Sequence, residues 1–363
     1  MKQLDTVPGQ ERGCGRCEVV NPAPTGPGRL HLRFPLGHTR GKLVMALSAS
    51  GRTVTEQGDV LSVRFDEIDL GVALAPLMKV LKASEANDIT ALFEKDGSIL
   101  GLSEYLGARP LATFFGRAQS GWLTTLLTDG RLHSVFQPIV DAQTTEIFAH
   151  ECLARGKEPD GSPVFPDRLF GVARSADLLF QLDLAARLSA IRGSAEFGLQ
   201  GKIFINFNPS AIYDPVYCLA STAKAVSEHG LTPDQIVFEV VESDRAAEPN
   251  FLVEILTSYR KAGFQVALDD LGAGYSSLGL MTRIRPDYVK LDMEIIRDVD
   301  KDPYKAQLSA KLLEAARALG VSTVAEGVET QGEYDWVRTH GADYVQGYYF
   351  AKPATPPPSV QKR

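Results

Sequence analysis

The pattern of apolar and polar positions changes at about residue 130 of the chain. Beyond that point, short apolar runs alternate with amphipathic stretches whose apolar residues recur at helical spacing. The apolar runs predict eight strands, at residues 134–141, 146–153, 202–208, 236–242, 265–270, 288–292, 322–326 and 343–349. Only a short polar segment separates the first two runs, so we expect these two strands to form an antiparallel hairpin.

Four of the predicted helices end in the same way, with a cation or His in the last turn and then a glycine. These glycines are Gly230, Gly263, Gly320 and Gly341. A glycine after a basic last turn is the usual signal for a left-handed helix C-cap. Helix, glycine and strand in repeated order predict a TIM-like (βα)8 barrel of the α/β class with an antiparallel first strand.

The region before the barrel has a shorter and more mixed pattern. Residues 1–28 are rich in Gly and Pro and predict a flexible arm. Residues 29–110 predict a small α+β domain of unknown type, regulatory or sensory by its position, because residues 61–65 alternate like a strand and Leu74, Leu77, Met78 and Leu81 have helical spacing. Residues 111–129 predict a helical connector, the barrel fills 130–356, and 357–363 form a tail.

Composition narrows the possible partners. The chain has 363 residues, 44% hydrophobic and 23% charged, with a net charge of −7. An acidic protein gains nothing from counterion release on a nucleic-acid backbone, so we expect no DNA or RNA polymer as a partner. We also expect no membrane segment, because no run approaches about 18 apolar residues. Four cysteines are too few for a disulfide scaffold, and the expected location is the cytoplasm.

Nearly every predicted barrel strand ends in a polar residue. These residues are Glu151, Asn206, Glu239 with Glu242, Asp269 with Asp270, Lys290, Glu326 and Gln346. Catalytic groups of βα barrels lie at this end of the strands. Any one of these residues alone has an ordinary explanation as a helix N-cap or a surface charge. Together, convergent carboxylates and an amide suit Mg²⁺ or Mn²⁺, and adjacent aspartates can serve two such ions in the in-line attack of water on a phosphodiester.

The motifs of the barrel region resemble those of the EAL-domain cyclic di-GMP phosphodiesterases, in order and along residues 130–353. The matching segments are QPIV at 137–140, ECLAR at 151–155, INFNPS at 205–210, FEVVES at 238–243, DDLGAGYSSL at 269–278, KLD at 290–292, AEGVE at 325–329 and QGYYFAKP at 346–353. Three positions differ from the family pattern, namely Cys152 for Ala, Leu271 for Phe and Val241 for Thr.

The resemblance implies an enzyme that opens cyclic di-GMP to linear pGpG with two Mg²⁺ or Mn²⁺ ions. The implied metal ligands are Glu151, Asn206, Glu239, Asp269 and Asp270, with Glu326 joining through water. Lys290 and Glu326 are implied to orient or deprotonate the attacking water, with Gln346 close to them. Gln137, Leu153 and Arg155 are implied to contact the substrate. Glu242 is implied to brace the loop at 270–277, which links a homodimer to metal binding.

Two further hypotheses remain open at this point. The barrel is alternatively a catalytically silent receptor that binds cyclic di-GMP and signals through a protein partner at the N-terminal domain, or, less favoured, a hydrolase of another phosphodiester. Separately, Cys14 and Cys17 form a CxxC motif with His31 and His38 downstream. Zinc binding there competes with a loosely structured arm, because the spacing of the two histidines exceeds the usual three to five residues.

Overall fold

A computed structural model describes residues 19–212, 214–241, 249–272 and 277–360. In the first part of the chain the elements are β1 (Gly28–Arg33), α1 (Gly37–Ala49), β2 (Val54–Gln57), β3 (Val60–Phe65), α2 (Leu70–Met78), α3 (Ala83–Asp88), β4 (Thr90–Lys95), α4 (Leu102–Leu106), β5 (Arg109–Pro110), α5 (Leu111–Gln119) and α6 (Gly121–Thr128). They continue with β6 (Leu132–Asp141), β7 (Ile147–Lys157), β8 (Pro163–Val164), α7 (Pro166–Ser175), α8 (Leu179–Glu196), β9 (Lys202–Phe207), α9 (Pro215–Glu228), β10 (Ile236–Val241), α10 (Pro249–Lys261) and β11 (Gln265–Leu271). The last elements are α11 (Ser277–Ile284), β12 (Tyr288–Leu291), α12 (Met293–Ile296), α13 (Pro303–Ala318), β13 (Ser322–Ala325), α14 (Gln331–Thr339) and β14 (Tyr344–Val345).

The chain divides into two compact units. The barrel unit comprises Leu132–Lys157 and the chain from Asp183 onward, and the N-terminal unit comprises Val20–Arg131 together with Glu158–Leu182. Residues 158–182 therefore belong to the N-terminal unit by their contacts, although they follow the second barrel strand in the sequence. The boundary between these units crosses α8 after its first turn.

The barrel unit is closed by eight strands, as the periodicity predicts. Their order is β6-β14-β13-β12-β11-β10-β9-β7, and β6 also pairs with β7. β6 is antiparallel to both of its neighbours, β7 and β14, whereas the pairs from β7 through β14 are parallel. The fold is thus a TIM-like barrel with an antiparallel first strand, preceded by an N-terminal domain.

Helix-ending glycines behave as the sequence predicts. Gly230, Gly263, Gly320 and Gly341 all have positive φ, of 72°, 95°, 70° and 85°. A residue without a side chain adopts this left-handed conformation without strain, so each helix can stop and turn toward the next strand. The last strand differs from its expected range, because β14 contains only Tyr344–Val345 and a turn follows Gln346.

An apolar layer fills the barrel below its carboxyl end. Seven of the strands each supply one buried residue to it, and Tyr344 of β14 packs against it. The seven residues are Ile139, Ala149, Phe204, Val237, Ala267, Tyr288 and Val324. These side chains occupy the interior, so residues two positions further along each strand must also face the interior.

The N-terminal unit is built on a five-stranded sheet in the order β2-β3-β1-β4-β5, with antiparallel neighbours throughout. Its core packs α1, α2 and α5 against the sheet through residues such as Leu30, Leu43, Leu74 and Phe114. The predicted connector at 111–129 consists of two helices, α5 and α6, and α7 packs on both of them. Within the described parts of the chain, no helix combines the length and the apolar character that crossing a bilayer requires.

The CxxC motif at Cys14 and Cys17 lies outside the described residues, so the zinc hypothesis stays a prediction. Both ring nitrogens of His31 have neighbours in the N-terminal sheet, Nδ1 at 2.8 Å from Ser62 Oγ and Nε2 at 3.3 Å from Glu94 Oε2. His38 lies on α1 with its Nε2 3.5 Å from Glu85 Oε1.

Candidate active site

A polar layer lies directly above the apolar layer of the barrel. Each parallel strand places one polar residue two positions after its apolar interior residue, and antiparallel β6 places Gln137 two positions before Ile139. Because side chains alternate along a strand, these residues all face the barrel interior at its carboxyl end. The layer consists of Gln137, Glu151, Asn206, Glu239, Asp269, Lys290, Glu326 and Gln346.

Lys290 lies in the middle of this layer. Its Nζ is 2.6 Å from Glu239 Oε1, 2.6 Å from Glu326 Oε1, 3.4 Å from Asp269 Oδ1 and 3.7 Å from Glu151 Oε1. Lys290 is 1% exposed and Glu239 is fully buried. A buried cation can persist in such a place only with close counter-charges, and these carboxylates supply them.

Two amides hold Glu151 from either side. Gln346 Nε2 donates to Glu151 Oε2 at 2.6 Å, and Asn206 Nδ2 donates to Glu151 Oε1 at 3.2 Å. Burial raises the pKa of Glu151, but Lys290 and these amide donors lower it more, so the net pKa lies below its ordinary value. Glu151 is therefore ionised at neutral pH and available as a ligand.

The other acids differ from Glu151 in their pKa. Burial raises the pKa of Glu239 well above its ordinary value, and it raises that of Glu326 to about 8, although Lys290 opposes both shifts. Burial alone would lower the pKa of Lys290, yet the surrounding carboxylates raise it well above its ordinary value. Lys290 therefore stays protonated and positively charged at neutral pH, whereas Glu326 gains or loses its proton close to neutral pH.

Asp269 and Asp270 form the acidic edge of the site, and Asp292 joins them. Burial first, and then the charges of Asp269 and Asp292, raise the pKa of Asp270 to about 6. Asp270 has a positive φ of 57°, which is uncommon for a residue with a side chain and typical of strained functional positions. The sequence motif KLD contains Asp292, but its place beside Asp270 became evident only from the structure.

The donor set fits divalent cations of the Mg²⁺ and Mn²⁺ type. Oxygen atoms from Asp269, Asp270 and Glu326 lie within 4.8 Å of one another. The carboxylate oxygens of Glu239 are buried, with Oε1 2.6 Å from Lys290 Nζ, and among the described residues Gln346 Oε1 is buried without a hydrogen-bond donor. Such under-satisfied oxygens around a carboxylate cluster are the ligands that hard cations prefer.

The residues predicted to contact substrate extend from this layer along the β6–β7 hairpin. Gln137 is 8% exposed, and its Nε2 donates to Ala351 O at 3.3 Å. Leu153 pairs with Val135, and Arg155 pairs with His133, further along the same ribbon. Burial lowers the pKa of the half-buried Arg155 guanidinium, which still carries its charge at neutral pH. The predicted loop brace, Glu242, lies outside the described residues.

A turn after β14 orients the Gln346 side chain. The sequence alone did not indicate the importance of this turn. A Cβ atom at Gly347 would overlap the backbone nitrogen and carbonyl oxygen of Val328. Val328 N donates to Gln346 O at 3.1 Å, and Tyr349 N donates back to Val328 O at 3.0 Å. Only glycine permits this close approach of two backbone segments, so Gly347 fixes the direction of the neighbouring Gln346 side chain.

A second acidic group, Asp298, Asp300 and Glu333, has a structural explanation. The Glu333 carboxylate is buried and accepts backbone N–H groups of Asp298, Glu329 and Thr330 at 2.9, 2.8 and 3.0 Å. Burial raises the pKa of Glu333, but these N–H donors lower it below its ordinary value. Glu333 therefore serves as a cap at the start of α14.

Comparisons with known proteins agree with this geometry. PdeG of Escherichia coli (strain K12), whose name is probable cyclic di-GMP phosphodiesterase, is 31% identical over 242 residues, which cover 64% of this chain and 46% of PdeG. BluF of the same organism, a blue light- and temperature-regulated antirepressor, is 28% identical over 221 residues, which cover 61% of this chain and 54% of BluF. This chain thus spans about half the length of both relatives.

A solved structure has the same fold as the barrel unit. The cyclic di-GMP bound form of a standalone versatile EAL protein from Vibrio cholerae O395 is 35% identical, with a TM-score of 0.58, and the match covers 63% of this chain and 95% of that protein. The family model described as EAL domain matches residues 120–353, which is more than half of the chain. Together with the polar layer at the carboxyl end of the barrel, this match shows that the chain belongs to the EAL domain family.

Proposed function

We propose that this chain hydrolyses cyclic di-GMP to linear pGpG and thereby lowers the concentration of a second messenger. The observation that carries the proposal is the interior polar layer, in which every barrel strand contributes one residue and Lys290 lies within 3.7 Å of four carboxylates. A barrel needs no such layer for stability, because buried charges are costly compared with apolar packing. The names of PdeG and of the Vibrio cholerae structure support this choice of substrate.

We assign two divalent cations, Mg²⁺ or Mn²⁺, to the carboxylates of this layer. Glu151, Asn206, Glu239 and Asp269 would hold one, and Asp269 with Asp270 and, through water, Glu326 would hold the other. When bound, such cations supply an ionised water at neutral pH and offset the negative charge of the phosphoryl oxygens.

The residues of the chain have separate tasks in this proposal. The raised pKa of Lys290 keeps its ammonium protonated, which favours orienting the attacking water and offsetting charge over removing a proton. Glu326, whose pKa is raised to about 8, would accept the proton of the attacking water at Oε1 in its ionised form, and the share of that form grows as the pH approaches 8. Gln346 keeps Glu151 in place through its 2.6 Å hydrogen bond, and Arg155 holds the substrate through its charge.

The first test is incubation of the purified full-length chain with cyclic di-GMP and Mg²⁺ or Mn²⁺, with separation of the nucleotides over time. We expect pGpG to form and EDTA to stop it. Glu151→Gln should abolish turnover, because it removes the charge of a ligand while keeping its size, whereas Glu196→Gln, at an exposed position of α8, should leave turnover unchanged. Absence of pGpG together with tight binding of intact cyclic di-GMP would contradict the hydrolase.

That last outcome would favour the alternative, a silent receptor. One observation supports this alternative: BluF, a relative of similar identity, is named an antirepressor.

We also propose that the chain forms a homodimer through the barrel and that the N-terminal unit regulates it. Light scattering of the full-length protein over a range of concentrations tests the first point. Comparison of its turnover with that of a chain starting at Arg131, which lacks β1–β5 and α1–α6, tests the second point.

A further inference from the structure

We propose that the buried ion pair of Asp183 and Arg187 is a positioning device behind the active site, which holds the carboxyl ends of β9 and β10 and so sets the divalent-cation affinity of the site. The inference rests on the proposed function for its biological meaning. Its physical basis is a set of contacts made by Asp183 and Arg187, neither of which belongs to the polar layer.

Arg187 joins three helices inside the protein. It is 1% exposed, and its Nε lies 3.0 Å from Oδ2 of Asp183, one turn earlier on α8. Its Nη1 donates to Thr222 Oγ1 on α9 at 2.9 Å and to Tyr259 Oη on α10 at 3.2 Å. The planar guanidinium presents its donors in fixed directions, so these partners fix the relative positions of the three helices.

Asp183 connects this network to β9. Its Oδ1 accepts the backbone N–H of Asn208 at 3.2 Å, two residues after the predicted ligand Asn206. The Asn208 side chain in turn accepts Ser210 N at 2.9 Å and so shapes the turn that follows the strand. The chain is therefore anchored directly beyond the point where Asn206 enters the active site.

Contacts between aromatic rings connect Arg187 to β10 as well. The Arg187 guanidinium lies 5.9 Å from the ring centroid of Phe207, which packs at 5.7 Å on Phe238. Tyr259 packs on both rings, at 5.3 and 4.9 Å. Side chains alternate along strands, so Phe207 and Phe238 lie on the outer faces immediately beside Asn206 and Glu239 on the inner faces. The cluster thus supports two adjacent predicted ligands from behind.

Stability alone does not explain a charged pair at this position. Apolar residues of similar volume in place of a buried ion pair often leave a protein equally stable or more stable. Apolar contacts do not fix the orientation of the groups that they join, as hydrogen bonds and ion pairs do. A metal site requires its ligands to lie within about 0.5 Å of the productive geometry. The directional bonds of Asp183 and Arg187 supply that restraint on β9 and β10.

The test replaces the pair in the full-length protein by the double variant Asp183→Leu/Arg187→Met. Titration calorimetry with Mn²⁺ alone, without nucleotide, measures the cation affinity, and thermal melting measures the stability. We expect melting close to that of the wild type and a loss of Mn²⁺ affinity of about 10- to 100-fold, the range for residues that orient metal ligands. We expect kcat to fall while KM for cyclic di-GMP changes little, because the substrate contacts are assigned elsewhere.

The matched control is Ser189→Ala on the same helix. Ser189 is buried and its Oγ lies 3.4 Å from Ser134 Oγ on β6, away from β9 and β10. We expect its Mn²⁺ affinity to equal that of the wild type. If the double variant fails to fold, Thr222→Val/Tyr259→Phe removes only the two hydroxyl partners of Arg187 and should weaken Mn²⁺ binding to a smaller extent at unchanged fold.

Wild-type Mn²⁺ affinity in a folded double variant, or in Thr222→Val/Tyr259→Phe where the double variant does not fold, would overturn the inference. A wild-type protein that binds Mn²⁺ but forms no pGpG would overturn the proposed hydrolase and leave the comparison of Mn²⁺ affinities valid. A wild-type protein that binds no Mn²⁺ would overturn both.

Discussion

Among the eight residues of the polar layer, Lys290 is the cation and lies between carboxylates of β7, β10 and β11 and the carboxylate of Glu326, which directly follows β13. Each carboxylate alone would be unfavourable in a barrel interior, and the shared ammonium reduces that cost. It does not remove it, because burial still raises the pKa of Glu239 and Glu326. The layer therefore holds protons that the proposed divalent cation would have to displace.

This competition predicts a pH dependence of cation binding. The pKa of Glu326 is raised to about 8 and that of Asp270 to about 6, so both groups are protonated below these values. Since a cation requires the ionised form, Mn²⁺ affinity should rise with pH between 6 and 8, by about tenfold per unit for each proton displaced. Calorimetry in buffers of different ionisation enthalpy counts the released protons. An affinity that is independent of pH between 6 and 8 would contradict these assignments.

The same shifts predict the stability of the protein without cation. A carboxyl group whose pKa is raised in the folded state binds more protons there than in the unfolded state between its ordinary value and the raised one. Stability should therefore fall as pH rises from about 5 to 8, and saturating Mn²⁺ should restore it at pH 8. Thermal melting at several pH values, with and without Mn²⁺, measures this. Glu326→Gln should weaken the dependence, because glutamine does not titrate.

Gly347 provides a second test at a single position. In Gly347→Ala the new methyl group would overlap Val328, so the turn must shift and move Gln346 away from Glu151. We expect a loss of turnover of about 10- to 100-fold with little change in KM. The control is Gly279→Ala on α11, where a Cβ atom meets nothing within 4 Å. Normal turnover in Gly347→Ala would show that Gln346 needs no fixed orientation.

At the scale of elements, α5 and α7 of the N-terminal unit approach each other closely. A Cβ atom at Gly116 of α5 would overlap the carbonyl group of Ser175 at the end of α7, and Arg109 Nη1 lies 2.6 Å from Asp177 Oδ2 beside this contact. Arg168 of α7 lies over the Trp122 ring of α6, 4.2 Å from its centroid. These contacts fix α7 within the N-terminal unit.

The close contact between α5 and α7 predicts that two Gly→Ala substitutions change the stability of the N-terminal unit in opposite directions. Gly116→Ala should destabilise the N-terminal unit by about 1–3 kcal/mol, because the methyl group overpacks the contact. Gly171→Ala on α7 meets nothing within 4 Å and should stabilise the unit by about 0.5–1 kcal/mol through helix propensity. Urea unfolding followed by Trp122 fluorescence, in a Trp336→Phe background, measures both. A neutral Gly116→Ala would argue against this packing.

Elements whose signals are local were predictable from the sequence. The barrel strands alternate or are wholly apolar, the helix ends carry glycine, and the polar residues at strand ends share one spacing. Asp183 and Arg187 were not predictable, because an acid and a base four residues apart on a helix usually form an exposed pair. Their burial depends on Thr222, Phe207 and Tyr259, which are distant in sequence. The membership of residues 158–182 in the N-terminal unit likewise depends on long-range contacts alone.

For the whole molecule, the two units are not consecutive in sequence. The chain passes between them after Arg131, after Lys157 and after Leu182. The buried residues of α7, Leu169 and Ala173, lie within the N-terminal unit, where α7 packs on α5 and α6. The barrel sequence alone therefore contains a segment whose packing partners precede residue 130.

This arrangement predicts the behaviour of truncated chains. A chain that begins at Arg131 lacks α5 and α6, so it should expose Leu169 and Ala173, melt at a lower temperature and self-associate. A chain that begins at Val20 retains all described elements of the N-terminal unit and should melt like the full-length protein. Scanning fluorimetry and light scattering compare the two. Equal melting temperatures would show that residues 158–182 fold without the N-terminal unit.

The crossings of the chain after Arg131, Lys157 and Leu182 also limit how such a protein can exchange parts during evolution or in the laboratory. A chimera joined at a single point near residue 130 would give α7 a foreign surface in place of α5 and α6. A new input domain would have to be transplanted together with residues 158–182, or selected to match them. The N-terminal unit is therefore encoded in two sequence segments, Val20–Arg131 and Glu158–Leu182, rather than in one interchangeable module.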